Sequence, residues 1–113
     1  MSDLTMFDLA GRTALITGSS QGIGYALAEG LSNAGARIVL NGRDATKLEA
    51  AAAKLRETGA AVDTLTFDAT DHEGARAAID GYEASSGPIS VLLNNAGMQH
   101  RGPLEEFEAA AFA

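Results

Sequence analysis

Three glycines near the start of the sequence lie four and two residues apart. The segment that contains them reads Thr17-Gly18-Ser19-Ser20-Gln21-Gly22-Ile23-Gly24. It follows a β-favouring run and leads into a helix-like stretch. Backbone N–H groups at the start of a helix attract anions, and glycine lets a pyrophosphate approach the backbone closely. We therefore expect the N–H groups of residues 20–23 to face a bound anion.

Each glycine has a separate expected role in this loop. Gly18 allows a tight exit from the strand, Gly22 leaves room for the pyrophosphate, and Gly24 lets the helix pack closely on the sheet. The spacing differs from the more common pattern G-x-G-x-x-G. A tight turn with no ligand is the alternative. The strand before the loop, the helix after it and the repetition of this pattern favour a phosphate loop.

Strand-like and helix-like segments alternate along the chain. Strands are predicted at 13–17, 37–40, 62–67 and 89–93, and helices at 23–34, 44–58 and 71–85. A repeated strand–helix–strand order requires right-handed crossovers and gives a parallel sheet. The sequence thus predicts an α/β fold with a doubly wound parallel sheet. In such folds ligands bind at the carboxyl ends of the strands.

The predicted helix ends carry recognisable signals. Thr70 and Glu73 have the spacing of a capping box at the start of the third helix. Gly35, Gly59 and Gly87 follow the three helices, where a residue with positive φ is expected.

Composition excludes several classes of function. The 113 residues include no cysteine, so the chain has no disulfide, thiolate metal site or cysteine nucleophile. A formal net charge of −7 argues against nucleic-acid binding and against an anionic membrane surface. His72 and His100 have no partners at metal-ligand spacing, so no metal site is predicted. The sequence shows no targeting signal and no long apolar run, and we expect a cytoplasmic protein.

The sequence ends within a predicted fourth helix. Pro103 suits its first position, and Glu105 and Glu106 suit its first turn. No strand follows that could cover its apolar face. We therefore expect residues 1–113 to form the N-terminal part of a single domain of a larger fold.

A second motif, Asn94-Asn95-Ala96-Gly97, follows the fourth predicted strand. Together with the glycine loop, it resembles the short-chain dehydrogenase/reductase family, and the likeness runs from about Phe7 to Phe112. Phe7-Asp8-Leu9, Leu40-Asn41-Gly42-Arg43 and residues 94–107 are most similar to gluconate 5-dehydrogenases and related polyol dehydrogenases. The resemblance implies a Rossmann-type domain in an NAD(P)-dependent oxidoreductase. It further implies a ketone or alcohol substrate, such as gluconate or another sugar acid or polyol, and a homo-oligomer, commonly a tetramer.

The end of the second strand bears on the choice of cofactor. A carboxylate there would accept hydrogen bonds from the ribose 2′-hydroxyl and favour NAD, but this chain has Asn41-Gly42-Arg43. Arg43 can pair with a 2′-phosphate, so we expect NADP rather than NAD. Gln21 argues the other way, because many NADP-preferring relatives carry a basic residue there. The alternative for Arg43 is a solvated residue at a helix start. Lys47 is interpreted as part of the solvated face of the second helix.

The resemblance assigns further residues to the cofactor. The Asp68 carboxylate and the Ala69 backbone would meet the adenine ring, although Asp68 could instead help to cap the third helix. Asn95-Ala96-Gly97 would line the cofactor ribose, and Asn94 would tie neighbouring strands together. The alternative for this motif is a polar turn. His100 and Arg101 would contact a polar substrate or lie in an exposed loop.

The proton chemistry of the family requires a tyrosine followed four residues later by a lysine. Here Glu29 follows Tyr25 and Ser86 follows Tyr82 at that distance. We therefore expect no catalytic residue in these 113 residues and no activity from them alone. A non-catalytic dinucleotide-binding relative and an inert truncated fragment are the alternatives to an enzyme.

Overall fold

Four strands alternate with three helices in the computed structural model, which describes residues 9–95. In chain order they are β1 (Thr13–Ile16), α1 (Gly22–Asn33), β2 (Arg37–Gly42), α2 (Ala45–Arg56), β3 (Val62–Thr66), α3 (His72–Ser86) and β4 (Val91–Leu93). The predicted fourth helix lies outside the described residues. None of the helices in the described range is long and apolar enough to cross a membrane.

All four strands are parallel, and their order in the sheet is β3-β2-β1-β4. The chain moves outward from β1 to β3 and then returns to the other side of β1. The direction of winding therefore reverses next to β1, which places the loop after β1 at a topological switch point. The predicted parallel sheet and the predicted elements are confirmed, with bounds that differ by at most two residues. Strand β2 is two residues longer than predicted because Asn41 and Gly42 pair with Leu65 and Thr66.

The core lies on both faces of the sheet, because successive side chains of a strand point to opposite faces. On one face the sheet packs against α1 and α2 through Ala14, Ile16, Ile38, Leu40, Ala28, Leu48, Ala52 and Leu55. On the other face Leu15 and Val39 pack against Phe67 and against Tyr82 of α3. Both faces of the central strands are thus covered, which explains why Ala14, Leu15 and Ile16 of β1 are all apolar and buried.

The start of α3 differs from the predicted capping box. Asp71 is the N-cap residue, and its carboxylate accepts a hydrogen bond from the Gly74 N–H at 3.1 Å. Thr70 and Glu73 are not the capping pair, because the Thr70 hydroxyl donates to the Asp68 carboxylate at 2.7 Å. The predicted positive φ angles after the helices are confirmed at all three glycines.

A hydrogen-bonded cluster joins α3 to the edge strand β3. The Tyr82 hydroxyl donates to Oδ2 of Asp63 at 2.6 Å, and Arg37 Nε donates to the same oxygen at 3.1 Å. Burial raises the pKa of the Asp63 carboxyl, but the hydrogen bonds from Tyr82 and Arg37 outweigh this effect and leave that pKa below its usual value. The ionised carboxylate is therefore the form that ties these elements together.

We expect Tyr82→Phe to lower the free energy of unfolding by about 1–2 kcal/mol near neutral pH, because a hydrogen bond to a carboxylate is lost while the ring stays. The lowered pKa of Asp63 means that this contribution is present above the unfolded carboxyl value of about 4 and is lost as the pH falls through the folded-state pKa. Urea unfolding at about pH 7 and about pH 3 measures the change.

The matched control is Tyr25→Phe, because the Tyr25 ring contacts the Lys54 ammonium group, 5.6 Å from the ring centroid, without using the hydroxyl. A Tyr82→Phe effect no larger than that of the control, or one that persists unchanged at acid pH, contradicts the assignment.

Candidate functional site

A cleft of about 750 Å³ opens at the carboxyl ends of β1, β2 and β3. Three loops and the first turn of α2 line it with Gly18, Ser20, Gln21, Asn41, Gly42, Arg43, Asp44, Lys47, Phe67, Asp68, Ala69 and Thr70. Candidate residues from three separate segments of the sequence thus share one cleft. The parallel sheet explains this, because all its strands deliver their following loops to the same edge.

Three residues of the glycine loop, Gly18, Ser20 and Gln21, form the end of this cleft at β1. The other predicted loop residues are not among those that line it, namely Ser19, Gly22, Ile23 and Gly24. Gly18 has a φ of 59° and turns the chain out of the strand. Helix α1 begins at Gly22, and the side chain of its N-cap residue, Gln21, makes no capping hydrogen bond. The first turn of α1 contains no acidic residue. The N–H groups of this first turn have no acceptor within the helix, so the end of α1 suits an anion.

Gly24 and Gly22 face different surroundings. A Cβ at Gly24 would lie 2.5 Å from the Gly18 carbonyl oxygen and 2.8 Å from Ser19 Cα, so the helix packs closely against the loop's own backbone. The sequence predicted that Gly24 allows close packing of the helix, but on the sheet rather than on the loop. A Cβ at Gly22 would meet nothing within 4 Å. The space beside Gly22 is therefore open to a ligand, while the space beside Gly24 is filled by protein.

Buried polar groups hold the glycine loop to β2. The Ser19 hydroxyl donates to the Ile16 carbonyl at 2.6 Å and accepts from the Asn41 N–H at 2.9 Å. The Ser19 N–H donates to the Asn41 carbonyl at 2.8 Å. The Gly18 N–H donates to Oδ1 of Asn41 at 2.9 Å. Ser19 and Asn41 are almost fully buried, so these bonds form away from solvent.

The Asn41 side chain also reaches the third loop of the cleft. Its Nδ2 donates to the carbonyls of Leu65 and Phe67 at 3.0 and 3.1 Å. The carboxamide thus connects the glycine loop, the end of β2 and the segment after β3. The predicted contact of Asn41 with the cofactor stays a prediction, because its side chain forms hydrogen bonds to other groups of the protein. The same holds for Ser19, whose hydroxyl bonds to the Ile16 carbonyl and the Asn41 N–H.

The end of β4 supports the glycine loop from the other side. Asn95 is fully buried, and its Nδ2 donates to the Gly18 carbonyl at 3.0 Å. The Thr17 hydroxyl donates to Oδ1 of Asn94 at 3.1 Å, which confirms that Asn94 ties neighbouring strand ends together. The remaining residues of this motif, Ala96 and Gly97, lie outside the described residues, as do His100 and Arg101.

Charged side chains lie at the entrance to the cleft. Arg43 is exposed, and its Nη1 lies 4.0 Å from Oδ2 of Asp68. The Thr70 N–H and hydroxyl both donate to Oδ1 of Asp68. These bonds, with a smaller contribution from the Arg43 charge, lower the pKa of the Asp68 carboxyl. Asp68 does not cap α3, whose N-cap is Asp71. Its carboxylate is instead held ionised and facing the cleft.

Five residues that line the cleft were not predicted as cofactor-binding residues, namely Gly42, Asp44, Lys47, Phe67 and Thr70. Lys47 is the cation among them. It is exposed, as expected, but it lines the same cleft as Arg43. Asp44 caps α2, and its carboxylate accepts from the N–H groups of Thr46 and Lys47 at 2.9 and 3.1 Å. A helix that begins directly after β2 has its first turn at the carboxyl edge of the sheet. That placement was the signal in the sequence that could have identified Lys47.

No group of three or more histidine, aspartate or glutamate side chains in the range 9–95 could hold a metal ion. His72 is exposed at the first position of α3, as predicted for a surface residue.

We expect Gly24→Ala to lower the free energy of unfolding by about 1–3 kcal/mol, because the added methyl group would overlap the backbone of residues 18–19. Gly30→Ala is the matched control in the same helix, since a Cβ there meets nothing within 4 Å. This control should raise the free energy of unfolding by about 0.5–1 kcal/mol through helix propensity. Chemical denaturation measures both, and equal effects would contradict the close approach.

Known proteins with a similar sequence include the gluconate 5-dehydrogenase of Gluconobacter oxydans (strain 621H). It is 46% identical over 107 residues, which cover 95% of this chain and 42% of that protein. The chain therefore spans about two fifths of the length of this relative.

Solved structures of similar proteins have the same fold. The gluconate 5-dehydrogenase from Burkholderia cenocepacia J2315, in complex with NADP and tartrate, matches with a TM-score of 0.80 and 50% identity, over 93% of this chain and 41% of that one. The L-sorbose reductase from Gluconobacter frateurii, complexed with NADPH and L-sorbose, matches with a TM-score of 0.74 and 41% identity, over 80% of this chain and 35% of that one. The predicted Rossmann-type fold is thus confirmed. The family model for short chain dehydrogenases matches residues 12–113, so this chain belongs to the short-chain dehydrogenase family.

Proposed function

We propose that residues 1–113 form the N-terminal part of a single NAD(P)-binding domain in an NADP-preferring oxidoreductase. The enzyme would transfer a hydride between the nicotinamide and a ketone or alcohol. Its proposed substrate is gluconate or a related sugar acid or polyol. The identity to gluconate 5-dehydrogenase and the sorbose-bound reductase among similar structures support this class of substrate.

The observation that carries the proposal is the cleft with a helix N-terminus at one end and cations at the other. The uncapped start of α1 and the open space at Gly22 fit a pyrophosphate. The other end of the cleft contains Arg43 and the ionised Asp68 carboxylate. These groups fit the phosphorylated ribose and the exocyclic amine of adenine, respectively.

The nicotinamide, when bound, supplies or accepts the hydride. The residues of this chain bind and orient the adenosine half of the cofactor. The loop from Gly18 to Gly24 would hold the pyrophosphate, and Ala69 would contact adenine through its backbone. Asn95, Ala96 and Gly97 would lie along the ribose. Ser19 and Asn41 would act by keeping the loop in place.

The preference for NADP follows from the charges at the end of β2. No carboxylate stands at Asn41, Gly42 or Arg43, where an acid would repel a 2′-phosphate. Asp44 is the nearest acid in the sequence, and its carboxylate is bound to the N–H groups at the start of α2. Arg43 is exposed and can turn toward the phosphate.

We expect Arg43→Ala to weaken NADPH binding by about tenfold or more and to change NADH binding far less, because only NADPH carries the 2′-phosphate. Arg76→Ala on α3 is the matched control, since it removes the same charge from an exposed residue that does not line the cleft. Fluorescence titration with both dinucleotides measures the ratio. Equal losses for the two cofactors would contradict the 2′-phosphate assignment.

The function as a whole is tested by turnover of the complete protein, of which these residues are proposed to form the N-terminal part, with NADP or NADPH and a panel of sugar acids, polyols and their ketones. Gly22→Val should abolish dinucleotide binding by filling the space for the pyrophosphate. Gly59→Val is the control, because Gly59 also has a positive φ and open surroundings but lies away from the cleft. Both variants place a side chain at a positive φ, and only Gly22→Val changes the proposed ligand site, so their difference in binding reports that site.

Three outcomes separate the candidate functions. Turnover that is lost in Gly22→Val and kept in Gly59→Val supports the proposed oxidoreductase. Cofactor binding without turnover of any substrate favours the non-catalytic relative. The absence of binding at about millimolar cofactor favours an inert fragment and contradicts the proposal.

A further inference from the structure

We propose that Lys47 is a second determinant of NADP preference and shares the 2′-phosphate with Arg43. The inference rests on the proposed function, because it concerns the same cleft. The 2′-phosphate would then be bound by two cations, Arg43 at the end of β2 and Lys47 in the first turn of α2. The sequence alone placed Lys47 on a solvated helix face.

The position of Lys47 in the fold supports a role in the cleft. Lys47 and Arg43 line the same cleft, although one belongs to α2 and the other to the segment after β2. The backbone of Lys47 is fixed there, because its N–H donates to the Asp44 carboxylate at 3.1 Å. The flexible side chain therefore starts from a fixed point at the edge of the cleft, and its ammonium can reach a ligand inside.

The charge of a phosphate monoester favours a second cation at this site. A phosphate monoester carries between one and two negative charges near neutral pH, so a single guanidinium does not balance it. Arg43 also lies 4.0 Å from the Asp68 carboxylate, which offsets part of its charge. Lys47, by contrast, forms no ion pair with any residue from 9 to 95. A ligand therefore does not have to break an ion pair to bind its ammonium group.

The other charged and polar groups in the cleft have partners of their own or carry no charge. Oδ1 of Asp44 accepts from two N–H groups of α2, and Oδ1 of Asp68 accepts from Thr70 while its Oδ2 lies near Arg43. Neither carboxylate forms an ion pair with Lys47 in the part of the chain that the structure describes. On the glycine loop, Gln21 lines the cleft with a neutral side chain. Lys47 is thus the cation that can complement Arg43.

The test uses two small ligands that differ only in the 2′-phosphate, namely 2′,5′-ADP and 5′-AMP. Their affinities are measured by calorimetry for the wild-type protein, Lys47→Gln and Arg43→Gln. Lys54→Gln is the matched control, because Lys54 lies on the same helix but outside the cleft, with its ammonium over the Tyr25 ring. Circular dichroism checks that each variant is folded.

We expect Lys47→Gln to weaken 2′,5′-ADP binding by about three- to tenfold and to leave 5′-AMP binding within about twofold of wild type. The loss should shrink at high salt, because the contact is between exposed charges. Lys54→Gln should change neither affinity.

Other outcomes are equally informative. If the wild type prefers 2′,5′-ADP and Lys47→Gln behaves like Lys54→Gln, the role of Lys47 is refuted while NADP preference stands. Equal weakening of both ligands by Lys47→Gln also refutes it, since the effect is then not on the 2′-phosphate. If the wild type does not distinguish the two ligands, the proposed NADP preference itself fails, and the role of Lys47 fails with it.

Discussion

The shape of the cleft depends on one buried side chain, the carboxamide of Asn41. It accepts from the Gly18 N–H and donates to the carbonyls of Leu65 and Phe67, so it bonds to two of the other segments that surround the cleft. A buried amide that lost these partners would incur the full cost of desolvation. The Ser19 hydroxyl adds two bonds to the same network. The protein's own hydrogen bonds therefore organise the cleft, and a ligand does not have to order these loops when it binds.

Two layers with different tasks result from this arrangement. The inner layer is buried, polar and hydrogen-bonded around Asn41, and it sets the path of the backbone. The outer layer consists of charged side chains at the entrance to the cleft, namely the exposed Arg43 and Lys47 and the half-buried Asp68. Because exposed charges contribute little to stability, they can be exchanged with little effect on the fold. Preference for one dinucleotide over another can thus vary while the frame stays the same.

Much of the fold follows from local patterns in the sequence. The alternation of elements, the parallel sheet and the role of Gly18 as a turn were predicted, because helix signals, apolar runs and glycines act over a few residues. The N-cap of α3 was placed one residue too early, since Thr70 bonds to Asp68 rather than to the helix. The inward direction of Asn41 and the position of Lys47 in the cleft were not predicted. Both depend on strand register and on where α2 starts, which only the packed structure determines.

The order of the strands also has a consequence for how the protein is made. Strands β1, β2 and β3 pair with neighbours that are close in sequence, whereas β4 pairs with β1 across about 76 residues. Contacts between distant residues form late, because the intervening chain must first be available and ordered. The bond from Asn95 to the Gly18 carbonyl belongs to this late set. During synthesis, the glycine loop therefore gains its support from β2 before that from β4, and its hydrogen bonding is complete only when the fourth strand has docked.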